Sequence, residues 1–142
     1  MNSARLLLLL SSAFLGACGY VRSEHFIAGS AHDQVRIGQA LNNDNRVIDA
    51  HGGLYLHAQA LFLQLRDLHA DAGAHQMHCR LQGPHGDIID EQTQSIILAP
   101  GQSRLTGICY FPLRDDLSTG LWHYGIDLDD TPVAAGPLIM RP

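Results

Sequence analysis

From residue 46 onward the chain is divided into apolar segments of strand length by turn signals at short, regular spacing, and this punctuation limits the fold more than any other feature. The segments are Leu54 to Leu65, His75 to Gln82, Asp87 to Asp90, Thr93 to Leu98, Arg104 to Leu113, Leu121 to Leu128 and Val133 to Met140. Between them lie Gly83-Pro84-His85-Gly86, Pro100-Gly101, Ser118-Thr119-Gly120 and Asp129-Asp130-Thr131-Pro132. Short runs bounded by Gly, Pro and Asp read as strands, and several in succession predict an all-β sandwich. Within the runs, apolar residues recur at every second position: Met77, Cys79, Leu81; then Leu105, Gly107, Cys109, Phe111; then Trp122, Tyr124, Ile126, Leu128. His123 and Asp127 fall on the opposite side of the last series, as a half-buried antiparallel strand requires. Trp122, the only tryptophan, is thereby assigned to the core.

Leu54 to Leu68 satisfies two patterns. Leu54, Ala58, Leu61, Phe62, Leu65 and Leu68 form a helical stripe, whereas Leu54, Leu56, Ala58, Ala60 and Phe62 alternate against Tyr55, His57 and Gln59. Strands on either side favour the second pattern, since local and global preferences tend to agree.

The N-terminus is of another kind. Arg5 precedes the run Leu6 to Leu10, then Ser11, Ser12, Ala13 and Phe14, and the run closes on Leu15-Gly16-Ala17-Cys18. About ten apolar residues are too few for a membrane span, which needs roughly 20. The tetrapeptide resembles the lipobox of bacterial lipoproteins, whose cysteine thiol is joined to diacylglycerol before signal peptidase II cuts ahead of it. The resemblance implies that residues 1–17 are a signal peptide and that Cys18 is acylated. Two or more acyl chains hold a protein stably at a bilayer, so it also implies a chain anchored to a membrane rather than crossing it. Gly19 follows the cysteine, not the Asp that retains many such proteins in the inner membrane, so the family's sorting rule implies the periplasmic leaflet of the outer membrane of a Gram-negative bacterium. Residues 18–45 then read as the lipidated Cys18 and a polar tether, ending in Asn42-Asn43-Asp44-Asn45; Val35, Ile37 and Leu41 suggest a short edge strand within it. Residues 46–142 are the expected β-sandwich domain.

With Cys18 joined to lipid, Cys79 and Cys109 remain as an even pair in an oxidising compartment. Both lie on the apolar side of their alternations, and a disulfide between them is expected. The alternative is two buried thiols or thiolate metal ligands.

A long opening strand, a Cys-bearing strand, a Gly-rich turn, a second Cys-bearing strand, then Gly120-Leu121-Trp122 and a closing hairpin resemble the immunoglobulin-like modules of bacterial envelope proteins over residues 46–142. The order Cys79, Cys109, Trp122 departs from the Cys, Trp, Cys order of true immunoglobulin domains. A transthyretin-like sandwich, as in the lipoprotein subunit of type VI secretion complexes, stays open beside it.

All nine basic residues are arginine and the formal charge is −5. The absence of lysine excludes P-loop, Schiff-base and Ser-Lys chemistry, and an acidic chain does not suit nucleic acid. His51-Gly52-Gly53 resembles the oxyanion loop of some esterases, but no Gly-x-Ser-x-Gly supplies a nucleophile. Asp127, Asp129 and Asp130 lack the ligand spacing of a calcium loop and read as turn formers. His75, His78 and His85, near Met77 and Cys79, have donors suited to Cu(I) or Zn. A strand sets His75 and His78 on opposite faces, however, and solvated histidines are the favoured reading. The expectation is therefore a non-enzymatic lipoprotein without a cofactor, held to the bilayer through Cys18. It acts as a binding or scaffolding module for an envelope protein, as an accessory subunit of an envelope assembly or secretion machine. The alternative is a periplasmic metal-binding protein using histidines around residues 75–85.

Overall fold

A computed structural model of the protein describes residues 34–50 and 53–142. The expected signal peptide, Cys18, the expected tether up to residue 33 and the pair His51-Gly52 lie outside the described residues. Three strands form one sheet: β1 (Val35–Gly38), β5 (Ala60–His69) and β8 (Arg104–Pro112), in the order β1-β5-β8. Five form the other: β4 (Leu54–Tyr55), β10 (Thr131–Arg141), β9 (Gly120–Leu128), β6 (Gly73–Gln82) and β7 (Ile88–Leu98), in the order β4-β10-β9-β6-β7. A small hairpin pairs β2 (Ala40–Leu41) with β3 (Val47–Ile48). All pairings are antiparallel except β4 with β10.

The chain changes sheet between β4 and β5, between β5 and β6, between β7 and β8, and between β8 and β9, which produces two packed layers rather than a meander. The pairing of β5 with β8, and the succession β6-β9-β10, reproduce the B·E and C·F·G neighbours of immunoglobulin-like sandwiches. Of the two sandwich types expected, the immunoglobulin-like order is the one observed. Between the layers lie Leu61, Leu63 and Leu65 of β5, Leu105, Cys109 and Phe111 of β8, Met77, Cys79 and Leu81 of β6, and Trp122 and Ile126 of β9, all fully or almost fully buried. The alternations read from sequence in β6, β8 and β9 thus have the expected inward faces. The indole Nε1 of Trp122 donates to the carbonyl of Ser118 at 2.8 Å, so the ring fills the core without leaving its polar atom unpaired.

Three expectations change. Leu54 to Leu68 is strand and not helix, but the expected inward set Leu54, Leu56, Ala58, Ala60, Phe62 is broken after Tyr55. A turn at residues 56–59 intervenes, and β5 then buries the odd positions Leu61, Leu63 and Leu65. Side chains alternate with period two, so an interrupting turn can exchange the two faces. The segments Asp87 to Asp90 and Thr93 to Leu98 merge into the single strand β7. The boundary at residue 46 also moves, because Val35 to Gly38 pairs with β5 from Leu65 to Phe62. The cluster Asn42-Asn43-Asp44-Asn45, expected to end a tether, is the turn of the β2–β3 hairpin. There Asn42 Oδ1 accepts the amides of Asp44 at 3.0 Å and Arg46 at 2.9 Å, and Asn45 takes φ of 57°. Gly38 lets the hairpin close on β1: a Cβ there would stand 2.0 Å from the Ile48 carbonyl oxygen.

Candidate functional site

Cys79 of β6 and Cys109 of β8 form a disulfide with Cα atoms 6.4 Å apart, inside the range a disulfide spans. It joins the two sheets. Antibody domains place the inter-sheet disulfide between strands B and F and the core tryptophan on strand C; here the bridge links β6 to β8 and Trp122 stands on β9.

The three candidate metal ligands are not brought together. His75 and His78 have opposite parity on β6. His85 lies beyond the other end of the strand, in the turn that leads to β7. Strand rise is about 3.4 Å per residue, which puts His85 some 20 Å or more from His75. Cys79 is committed to Cys109. Among the described residues no group of three His, Cys, Asp or Glu side chains is arranged to hold a metal. His78 instead sits between two carboxylates, with Nδ1 3.6 Å from Asp127 Oδ2 and Nε2 3.8 Å from Glu91 Oε1.

His78 belongs to a larger feature, the outer face of the five-stranded sheet. The register sets Glu91, Arg80, Gly125 and Ala135 in one row across β7, β6, β9 and β10. The next outward row is Ile88, Gln82, His123 and Pro137. All of these residues except Pro137 line an open depression of about 600 Å³. Gly125 floors it. A Cβ there would come within 3.1 Å of Arg80 Nη2, so the small residue lets the guanidinium lie across β9. Arg80 Nη2 also meets Asp127 Oδ2 at 3.3 Å.

At one end of the depression Leu121 of β9 stands directly opposite Ile139 of β10, and the two are 49% and 63% exposed. Ile88, 50% exposed, stands at the β7 side. Large aliphatic side chains left in water on a polar-edged face mark a contact surface when they lie together. Sequence reading did not single out Leu121, Ile139 or Ile88. The available signal was parity, since Leu121 precedes the inward Trp122 and must point outward.

A second polar cluster lies at the end of the sandwich where β9 turns into β10. Asp129 and Asp130 have φ of 49° and 62°, positive at both central residues as a two-residue I′ hairpin turn requires. Asp129 and Asp130 are turn formers, as expected, but Asp127 is not: it lies within β9, with its carboxylate beside His78 and Arg80. Asp129 also docks the turn on β6. Its Oδ1 accepts the Gln76 amide at 2.8 Å, its own amide donates to the Gln76 carbonyl at 2.9 Å, and its Oδ2 lies 2.7 Å from His75 Nδ1. The hydrogen bond to Asp129 raises the His75 pKa above its ordinary 6.5, and the bond from His75 lowers the Asp129 pKa below 3.8. In the core, burial raises the Tyr124 phenol above its ordinary 10.0.

No family model and no curated protein matches the chain. Among solved structures it is similar to an immunoglobulin-like protein from Pseudomonas aeruginosa, with 12% identity and a TM-score of 0.42, over 75% of this chain and 91% of that one. It is also similar to a protein designated a β-galactosidase from Bacteroides fragilis, with 15% identity and a TM-score of 0.44, over 74% of this chain. The chain spans only 16% of the length of that second protein.

Proposed function

We propose that the protein is a periplasmic lipoprotein, anchored through acylated Cys18 to the outer membrane, whose sandwich serves as a non-catalytic binding or scaffolding module for an envelope protein. The observation that carries the binding role is the Leu121–Ile139 pair. Two large aliphatic side chains face each other across β9 and β10 in solvent, beside a depression edged by Arg80, Glu91 and His123. An apolar centre with a charged rim is how protein contact surfaces are commonly built. The anchoring role is supported by the Leu15-Gly16-Ala17-Cys18 sequence. A module held at a membrane by lipid, with a sheet face turned to a partner, suits an accessory subunit of a larger envelope assembly.

Each half has its own test. Cys18→Ser should leave unprocessed precursor and abolish acyl labelling; normal maturation of that variant would reject the anchor. A photo-crosslinking residue placed at 139 in intact cells should give one discrete protein adduct, and one placed at Thr106, exposed on β8 of the other sheet, should not. Combining Leu121→Arg with Ile139→Arg should remove contact with that partner while the purified protein keeps its unfolding transition. Equal adducts from both positions, or none from 139, would reject this face.

A further inference from the structure

His75 is held between two acceptors. Nδ1 lies 2.7 Å from Asp129 Oδ2, and Nε2 lies 2.7 Å from the main-chain carbonyl oxygen of Asp71. A carbonyl oxygen only accepts, and so does an ionised carboxylate. Asp129 is held in its ionised form by the Gln76 amide on Oδ1. A neutral imidazole carries one N–H and one lone pair, so either neutral tautomer would set a lone pair against an oxygen at one of these two contacts. Only the imidazolium, with an N–H on each nitrogen, satisfies both.

From this geometry we infer that His75 is a proton-dependent clasp: protonated, it ties the β5–β6 connection at Asp71 to the β9–β10 turn at Asp129, and deprotonated, it lets the connection go while the turn stays docked. The order of release follows from the partners. The Nδ1–H bond to a carboxylate is charge-assisted and the stronger of the two. The turn is also fixed to β6 by two further bonds: the Asp129 amide donates to the Gln76 carbonyl, and the Gln76 amide donates to Asp129 Oδ1. A proton leaving the ring therefore comes from Nε2, which then presents a lone pair to the Asp71 oxygen.

The charged groups acting on the ring are the carboxylates of Asp129 and Asp71, with Asp130 next in the turn. The residue opposite on β7 is Ile96. An all-acidic surrounding favours the bound proton, in line with the raised His75 pKa. The clasp is thus closed at acid pH and opens as the pH rises through that value, the switch expected of a histidine beside carboxylates.

Nitrogen-detected NMR of His75 in the full-length, isotopically labelled chain tests this without any substitution. Both ring nitrogens should carry protons in acid, with a midpoint above the ordinary 6.5, and the neutral form should be the Nδ1–H tautomer. The amides of Asp71 and Ala72 should shift and exchange faster with the same midpoint, while those of Asp129 and Asp130 hold. A midpoint at or below 6.5, an Nε2–H neutral tautomer, or co-titration confined to the Asp129 side would overturn the proposal. His75→Gln should abolish the step at Asp71; a step that survives it would also overturn the proposal.

Discussion

Gln64 accepts the main-chain amide of Val47 through Oε1 at 3.0 Å and donates through Nε2 to the carbonyl of Asn45 at 3.3 Å. One buried carboxamide on the outer side of β5 therefore holds both the turn and the return strand of the β2–β3 hairpin. Among the described residues no other carboxamide, hydroxyl-bearing aliphatic or charged side chain is buried, and both its ends are matched. Gln64→Leu keeps much of the volume and strands both main-chain groups. The expected loss is about 1–3 kcal/mol, the cost of leaving buried polar groups unpaired. Urea unfolding would measure it, and the Val47 amide should become one of the faster-exchanging amides in the variant.

The bridge between Cys79 and Cys109 closes a loop across 30 residues. Loop-closure entropy then predicts a loss of roughly 3 kcal/mol on reduction or in the Cys79→Ala/Cys109→Ala double variant. The native protein should show no free thiol at these two positions before reduction. Two titratable thiols in the unreduced protein would contradict the structure.

Trp122 is fully buried and its Nε1 is bonded to Ser118. Its fluorescence should be blue-shifted and poorly quenched. Trp122→Ala is expected to cost about 3–5 kcal/mol, enough to unfold a domain of ordinary stability, about 5–15 kcal/mol. Trp122→Phe removes only part of the volume and the bond to Ser118, so it should fold and lose less. Emission typical of solvent-exposed indole in the wild-type protein would place Trp122 on the surface instead.

Stability should depend on pH through the pair His75 and Asp129. The raised His75 pKa gives a contribution fully present below 6.5 that is lost as the pH rises through the folded value. The lowered Asp129 pKa gives one present above 3.8 that is lost as the pH falls through its folded value. The difference in unfolding free energy between wild type and His75→Gln should therefore be greatest between these two pH values and shrink on both sides. A difference that is flat across the whole range would mean that the contact adds no pH-dependent stability.

The inward faces of β6, β8 and β9 were legible in the sequence because parity is a local property. Once Met77, Cys79 and Leu81 lie on a strand they share a side, whatever the rest of the chain does. Cys79 and Cys109 could be placed facing a common interior for the same reason, and the Asp129-Asp130 turn could be named from its residue types. Parity does not survive an interruption. The turn after Tyr55 could not be seen within a continuous apolar run, so the core face of β5 was assigned to the wrong set of positions. Val35 and Ile37 did suggest the edge strand that β1 forms, but sequence could not name its partner, since Leu65 lies 30 positions away from Val35. The outward pairing of Leu121 with Ile139, the seating of Arg80 over Gly125, and the meeting of His75 with Asp129 across 54 positions all depend on inter-strand register. Register is set by long-range packing of the two sheets, so only the tertiary structure decided them.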